Sequence, residues 1–215
     1  AIEQLAGEKA GETKVRVEAG CSLMKLVNWC VAQGLEGLEF AAGIPGSVGG
    51  AVVMNAGAWG KEMSEVLTSV TFLSGSGEFF ERKKGELAFS YRHLETESMP
   101  VVAAEFLLQG GDRQAIERRC GQLMRDRKAK QPQGQANAGS FFKNPAGLPA
   151  AGKLIQDAGL KGLRVGGAQV SEVHANFLVN IGSATAQDFL DLMRLVQEKV
   201  FERFGVRLEP EVHLL

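Results

Sequence analysis

Residues 43–60, GIPGSVGGAVVMNAGAWG, constrain the fold more than any other stretch of the chain. Pro45 fixes its own φ, and Gly46 can adopt the positive φ that the following turn requires. Because glycine has no Cβ, consecutive peptide N–H groups can close on an anion here, as they do wherever a backbone binds a diphosphate. The stretch lacks the Lys-Ser or Lys-Thr pair of a nucleotide-triphosphate loop and the GxGxxG spacing of a dinucleotide fold. It predicts contact with a flat, phosphate-bearing ligand, and the alternative is a surface loop whose glycines permit close backbone packing.

Composition indicates one or two globular domains with a sizeable core. The chain has 215 residues, of which 45% are hydrophobic and 23% charged, and its net charge is −1. This near-neutral charge gives no electrostatic signature of nucleic-acid binding, and no apolar run approaches the length of a membrane span. Cys21, Cys30 and Cys120 lack the paired spacing of a zinc site. We therefore expect buried thiols in a reducing compartment and no metal ion.

Hydrophobic periodicity predicts that the first part of the chain is rich in strands. Strands are predicted at residues 13–18, 66–73, 78–82 and 101–108. Between the first two of them, an apolar stripe predicts a helix that Ser22 caps and Gly34 ends. A second helix, from about residue 112, must end before Pro132 and is expected to turn Met124 inward.

The polar segment 131–139 interrupts this pattern, and we place a domain boundary there, between domains 1–132 and 133–215. Beyond it, a helix is predicted at residues 152–158 and strands at 175–180 and 207–214. Thr185 and Asp188 form a capping-box pattern that opens one more helix. Strands followed by a mixture of helices and strands predict an α+β fold rather than a doubly wound sheet.

Two short motifs carry candidate catalytic side chains. Arg92 in AFSYRHL follows a predicted strand, and its planar guanidinium suits a carboxylate or a phosphate. The alternative is a surface arginine stacked on Tyr91. Ser140 in AGSFFKNP lies in a glycine-flanked turn without a nearby histidine to activate it, so its hydroxyl suits a general acid that protonates a basic carbon. The alternative is a turn serine that bonds to backbone.

Two further motifs are expected to line a pocket. In SEVHANFLVN, alternation predicts that Glu172, His174 and Asn176 share one face before a strand, and no second His or Cys is spaced to complete a metal site. In LEPEVHLL, alternation predicts that Glu209 and Glu211 both point away from the apolar face. For either acid the alternative is a solvated strand edge.

Taken together, these motifs have the order and spacing of the UDP-N-acetylenolpyruvoylglucosamine reductase (MurB) family, which the chain resembles over about residues 15–215. No insert bearing a substrate-capping tyrosine is present, so the resemblance is to the shorter, second type. It implies an FAD-binding domain of the type-2, PCMH-like class in 1–132, followed by a MurB-type α+β substrate domain in 133–215. We expect that an N-terminal FAD-binding subdomain, with a second diphosphate-binding loop, is missing before the first strand.

The resemblance also implies the chemistry. Family members bind FAD noncovalently, oxidise NADPH and reduce UDP-N-acetylglucosamine enolpyruvate to UDP-N-acetylmuramate for peptidoglycan synthesis in the bacterial cytoplasm. The implied cofactor-binding positions are Gly43, Ile44, Pro45, Gly46, Ser47, Gly49, Gly50 and Asn55. The implied catalytic positions are Arg92, which stabilises the intermediate's carboxylate, Ser140, which protonates the substrate, and Glu211, beside the intermediate. The implied substrate-binding positions are Lys130, Asn144, His174 and Asn176.

Two alternatives remain open for function. One is another FAD-dependent oxidoreductase of the same architecture. The other is a truncated, flavin-free fragment that binds the UDP-sugar without turning it over. The expected partner is this small molecule, and neither a nucleic acid nor a membrane. The full protein is expected to be a monomer, and the fragment is expected to self-associate through strand edges left unpaired by the missing subdomain.

Overall fold

The computed structural model describes residues 1–7 and 9–213, and the chain divides into two compact units. The N-terminal unit is Ala1–Asp126 and the C-terminal unit is Arg127–Leu215. This division falls inside a long helix, and the predicted boundary after residue 132 lies just beyond the end of that helix. Among the described helices, none combines the length and the apolar composition that a membrane span requires.

The N-terminal unit is built mainly from strands. Its strands are β1 (Ile2–Ala6), β2 (Glu12–Glu18), β3 (Leu35–Glu36), β4 (Gly57–Ala58), β5 (Lys61–Glu62), β6 (Leu67–Leu73), β7 (Phe79–Lys83), β8 (Phe89–Ser90), β9 (His93–Leu94) and β10 (Val101–Gly110). Its helices are α1 (Leu23–Gln33), α2 (Val48–Val53), α3 (Met63–Val66) and most of α4 (Arg113–Lys130). The four predicted strands are confirmed, because they correspond to β2, β6, β7 and β10 with small shifts at their ends.

One antiparallel sheet organises this unit. Within the described residues its strand order is β1-β2-β10-β6-β7, and β3 pairs with the end of β10. Val15 and Val17 of β2 are fully buried in the core that α1 and α2 also line. Arg16, between them, faces the other side of the sheet, where its Nη1 lies 3.2 Å from Oε1 of its cross-strand partner Glu105. The core therefore lies on one face of the sheet, and α2 carries the glycine-rich stretch onto that face.

The two predicted helices of this unit are present, with two differences in detail. α1 begins after Ser22 and ends at Gly34, which is left-handed with φ 67°. The Ser22 side chain makes no capping hydrogen bond, so the predicted hydroxyl cap is wrong. Met124 of α4 is exposed and not buried as predicted, because burial along α4 is confined to its first half, at Ile116 and Cys120.

The C-terminal unit combines a small antiparallel sheet with two helices. Its elements are β11 (Asn137–Ser140), α5 (Ala151–Asp157), β12 (Arg164–Val165), β13 (Ala168–Val170), β14 (Phe177–Asn180) and α6 (Ala186–Phe204). The strand order is β11-β14-β13-β12. α6 begins with the predicted capping box, in which Thr185 Oγ1 accepts from Asp188 N–H at 3.1 Å and Asp188 Oδ2 accepts from Thr185 N–H at 2.9 Å. The core of this unit forms where α5 and α6 pack beside the sheet.

One predicted strand of this unit is wrong, and so is one predicted shared face, whereas the strand predicted at 175–180 is present as β14. Residues 207–213 form no strand, and in that described segment only Pro210 makes an isolated bridge, to Phe142. The predicted end of that strand, Leu214, lies outside the described residues. Residues 172–176 form a turn before β14, so Glu172 is exposed and Asn176 is buried, and they do not share a face. This turn is stabilised by Ser171, whose Oγ accepts from the backbone N–H groups of residues 173 and 174.

Candidate active site

The glycine-rich stretch is a turn followed by the short helix α2. Gly43 and Gly46 have φ of 80° and 119°, which confirms the predicted positive φ after Pro45. Ser47 is extended and its Oγ accepts from Gly50 N–H at 3.2 Å, so it caps α2. Pro45 and Gly46 are exposed at the tip of the turn.

Part of the glycine content serves close packing, as the alternative interpretation proposed. A Cβ at position 49 would lie 2.7 Å from Ala19 Cβ, and one at position 57 would lie 2.6 Å from the Lys61 carbonyl oxygen. Neither distance is compatible with a side chain at these two positions. The glycines at 49 and 57 therefore allow two backbone segments to approach each other.

Fewer backbone N–H groups of this stretch are available to bind an anion than its number of glycines suggests. The amides of Val48 and Gly49 donate to the carbonyl oxygens of Cys21 and Ala19, at 2.8 and 2.9 Å. Within the described part of the chain, the amides of Gly46 and Ser47 have no acceptor. An anion can therefore be bound here by two adjacent N–H groups rather than by a long run of them.

Asn55 ties the glycine-rich stretch to the hairpin formed by β8 and β9. Its side chain is fully buried, Nδ2 donates to Ser90 O at 3.1 Å, and Oδ1 accepts from Ser64 N–H at 3.0 Å. Its φ is 38°, a conformation that asparagine tolerates better than most residues. The structure therefore gives Asn55, itself a predicted cofactor-binding position, hydrogen bonds to two other segments of the protein.

Arg92 lies in the tight turn of the β8–β9 hairpin, directly after a strand as predicted. Its Nη2 donates to the Gly57 carbonyl oxygen at 3.0 Å, and the guanidinium lies 4.8 Å from the ring centroid of Tyr91. The stack on Tyr91 is the contact that the alternative interpretation proposed, and the bond to Gly57 adds a link to the glycine-rich stretch. Its φ of 57° costs roughly 1–3 kcal/mol in a residue with a long side chain.

Three of the five described non-glycine residues with positive φ lie in this part of the N-terminal unit. Asn55, Trp59 and Arg92 all have positive φ, and the structure connects their segments through the bonds described above. Trp59 and Tyr91 are both exposed, although large aromatic side chains are usually buried. Such strain is typical of functional sites, where the surrounding structure holds residues in unfavourable conformations.

A cavity of about 350 Å³, lined by both polar and apolar groups, lies within the C-terminal unit. Four of its lining residues are predicted site residues: Ser140, Asn144, His174 and Asn176. Sequence reasoning missed Lys153 and Gln156, which α5 contributes to the same wall. Their spacing of three residues on a predicted helix is the signal that could have identified them as one face.

Local contacts explain why Ser140 and Asn144 reach this cavity. Ser140 ends β11, where it pairs with Phe177 of β14. Asn144 Oδ1 accepts from Ala151 N–H at 3.0 Å and so satisfies the first amide of α5. The segment between them is thereby held at one end by the sheet and at the other by a helix terminus.

His174 forms part of the cavity wall as a neutral imidazole at neutral pH. Burial lowers the pKa of His174, a backbone hydrogen bond partly opposes this change, and the positive charge of Lys161 adds to it. Nδ1 accepts from Asn176 N–H at 3.2 Å, so the neutral ring carries its proton on Nε2. A Cβ at Gly152 would lie 3.1 Å from His174 Cε1, which means that glycine at 152 leaves room for the ring.

Two predicted site residues of this unit are not among the residues that line the cavity. Glu211 is half-buried, and its backbone N–H donates to the Phe141 carbonyl oxygen at 2.9 Å. Lys130 is the exposed last residue of α4. The roles predicted for Glu211 and Lys130 stay predictions. Among the described residues, no group of three or more His, Cys, Asp or Glu side chains could hold a metal ion.

Comparison with known proteins identifies the family. Residues 3–82 match the family model of an FAD binding domain, and residues 131–215 match that of the UDP-N-acetylenolpyruvoylglucosamine reductase C-terminal domain. A reductase of this name from Syntrophus aciditrophicus is 45% identical over 98% of the chain and 67% of its own length. One from Lactiplantibacillus plantarum is 48% identical over 96% of the chain and 68% of its own length. The chain belongs to the UDP-N-acetylenolpyruvoylglucosamine reductase family.

A solved structure supports the same assignment. The crystal structure of UDP-N-acetylenolpyruvylglucosamine reductase (MurB) from Thermus caldophilus is similar to 92% of this chain, with a TM-score of 0.83 and 42% identity, and the match spans 71% of that protein. The resemblance predicted from the motifs is therefore confirmed. So is the fold class, an FAD-binding domain followed by a MurB-type C-terminal domain. The reductase family consists of oxidoreductases, and this chain spans about two thirds of the relatives' length.

Proposed function

We propose that this chain uses FAD and NADPH to reduce UDP-N-acetylglucosamine enolpyruvate to UDP-N-acetylmuramate, a step of bacterial peptidoglycan synthesis. The observation that carries the proposal is the cavity where Ser140, Asn144 and His174 meet. Its volume of about 350 Å³ is in the range of small-molecule sites, and the polar side chains in its mixed lining suit a sugar nucleotide. Family membership supports the same activity. Free thiols at all three cysteines support a cytoplasmic location.

The residues of the glycine-rich stretch fit FAD. The amides of Gly46 and Ser47, which have no acceptor in the part of the chain that the structure describes, suit phosphate oxygens, and the exposed rings of Trp59 and Tyr91 suit a flat heterocycle. The match of residues 3–82 to an FAD binding domain supports this assignment. When bound and reduced by NADPH, the flavin would supply the hydride that adds to the terminal carbon of the enolpyruvyl group.

Arg92 is proposed to stabilise the negative charge that grows on the substrate's carboxylate. Its guanidinium is fixed by the bond to Gly57 and by the stack on Tyr91, so little reorganisation is needed when charge develops. Preorganised donors of this kind contribute roughly 3–4 kcal/mol each to transition-state stabilisation. The strained turn at Arg92 is consistent with such a fixed position.

Ser140 is proposed to give a proton to the carbon that bears the ether oxygen. Its hydroxyl can donate, and the resulting alkoxide must be reprotonated by solvent or a neighbouring group. Glu211 can assist only when it is protonated or when it orients a donor, because an ionised carboxylate would repel the developing anion. Lys130, Asn144 and His174 are proposed to bind the sugar nucleotide.

The test compares Ser140→Ala with the matched control Ser183→Ala, which changes an exposed serine. Stopped-flow absorbance of the flavin separates its reduction by NADPH from its reoxidation by the enolpyruvyl substrate. Ser140→Ala should leave the first rate within about twofold and slow the second by roughly 10²–10⁴-fold, the usual contribution of a general acid. Loss of both half-reactions, or of neither, contradicts this role for Ser140.

A second candidate is flavin-free binding of the UDP-sugar. It is favoured by the fact that the cavity is formed by residues of the C-terminal unit alone. This candidate predicts no protein-bound flavin absorbance after FAD is added in excess, but a measurable heat of binding for UDP-N-acetylglucosamine. A shifted flavin band together with substrate-dependent NADPH oxidation supports the reductase instead.

A further inference from the structure

The buried amide of Asn176 replaces a peptide group in the C-terminal unit. Its side chain is 4% exposed, Oδ1 accepts from Phe142 N–H at 3.0 Å, and Nδ2 donates to Phe142 O at 2.8 Å. These two bonds resemble the pair of backbone bonds that joins two strands. Here the side-chain amide of the residue just before β14 takes the place of the backbone of one strand. The amide is thus occupied by the protein, which distinguishes it from a group that is open to a ligand.

The backbone of Asn176 holds the preceding residue of the same segment. Its carbonyl oxygen accepts from Phe141 N–H at 2.7 Å. On the other side, Glu211 N–H donates to Phe141 O at 2.9 Å. Phe141, the residue directly after Ser140, is therefore bound on one side by Asn176 and on the other by Glu211.

His174 connects Asn176 to the wall of the cavity. The N–H of Asn176 donates to His174 Nδ1 at 3.2 Å, and the imidazole stands edge-on to Phe177, with ring centroids 5.0 Å apart. The lowered pKa of His174 keeps Nδ1 available as an acceptor at neutral pH. The backbone N–H and C=O of Asn176 and both polar atoms of its side chain therefore all form hydrogen bonds within the protein.

We propose that Asn176 is a positioning residue, which holds the peptide segment after Ser140 and so fixes the Ser140 hydroxyl relative to Glu211. This inference rests on the proposed function for its kinetic consequence, and it assigns Asn176 a role different from the substrate-binding role that the motif implied. A proton donor must be placed to within a fraction of an ångström, and a displacement of about 1 Å can reduce a rate roughly 100-fold. Two side-chain bonds to one buried residue provide that restraint.

The test compares Asn176→Ala with Asn180→Ala. Asn180 lies at the other end of β14, and its Oδ1 accepts from the N–H groups of Gly182 and Ala184 at 2.9 and 3.3 Å. The control therefore also removes two hydrogen bonds from the same strand but leaves the segment after Ser140 intact. Should Asn176→Ala fail to fold, Asn176→Asp keeps the size and the acceptor, and its carboxylate cannot donate to Phe142 O and adds a negative charge there.

Two readouts separate positioning from a general loss of stability. In the FAD-loaded protein, Asn176→Ala should lower kcat for substrate reduction by about 10- to 100-fold, with KM and flavin reduction by NADPH changed less than about twofold. By amide exchange in NMR, the Phe142 N–H should exchange about fivefold faster or more, while Asn180→Ala leaves it protected.

Equal effects of the two variants, or an effect confined to KM, would overturn the proposal. So would a Phe142 amide that stays protected in Asn176→Ala. If the unaltered chain reduces no enolpyruvyl substrate, the proposed function fails, and the exchange of the Phe142 amide alone then decides whether Asn176 holds this segment.

Discussion

Adjacent glycines of α2 should respond in opposite ways to the same substitution. In Gly49→Ala the new Cβ would lie 2.7 Å from Ala19 Cβ and 3.3 Å from the Ala19 carbonyl oxygen. Neither atom can rotate away, so the backbone must move. In Gly50→Ala the nearest atom is Ser47 Oγ, at 3.4 Å, which is an ordinary contact. Neither position has positive φ, so the backbone conformation accepts alanine at both.

The expected difference between the variants is about 2 kcal/mol. Overpacking at a closed contact costs roughly 1–3 kcal/mol, partly offset by the higher helix propensity of alanine, so Gly49→Ala should lose about 1–2 kcal/mol of unfolding free energy. Gly50→Ala has only the propensity gain and should gain up to about 0.5–1 kcal/mol. The six-residue length of α2 keeps this gain at the lower end.

Urea unfolding followed by tryptophan fluorescence is the appropriate assay. Both tryptophans, Trp29 and Trp59, lie in the N-terminal unit, so the signal follows the unit that contains α2. The measurement is made without FAD, so that ligand binding does not contribute. Equal midpoints and equal m-values for Gly49→Ala and Gly50→Ala would refute the view that position 49 is glycine because of the close approach of Ala19.

Two further predictions concern stability. Thr185→Ala removes the hydroxyl acceptor of the α6 capping box and should lower the unfolding free energy by about 1 kcal/mol, seen as a lower midpoint in far-UV circular dichroism, whereas the exposed Ser183→Ala should have no such effect. Burial raises the pKa of Cys30 to about 12 and that of Cys120 to about 11. The unfolded thiols ionise at lower pH than the folded ones. The contribution of these thiols to the unfolding free energy is therefore fully present below about pH 9 and is lost as the pH rises above it. The fall in the urea midpoint between pH 8.5 and 10.5 should therefore be shallower in Cys30→Ala, and an unchanged slope contradicts this contribution.

Local sequence patterns determined several elements of this protein. Gly34 ends α1 and the Thr185–Asp188 capping box opens α6, because each signal acts through residues a few positions apart. The order of motifs along the chain was sufficient to indicate the reductase family, since motif order needs no knowledge of three-dimensional contacts. Residue type and neighbours likewise marked Arg92 and Ser140 as candidates, and their catalytic roles stay predictions.

Only the tertiary structure decided which polar groups form hydrogen bonds within the protein. The amides of Val48 and Gly49 donate to the carbonyl oxygens of Cys21 and Ala19, far earlier in the chain, so among the described residues only the N–H groups of Gly46 and Ser47 in this turn lack an acceptor. The C-terminal segment alternates like a strand, yet one bridge to Phe142 is the only strand-like pairing among its described residues. Asn176 was predicted to bind the substrate, and only the structure shows that both ends of its side-chain amide bond to Phe142. In each case the partner is distant in sequence, and hydrophobic periodicity carries information about which face is buried but not about which distant group will satisfy a hydrogen bond.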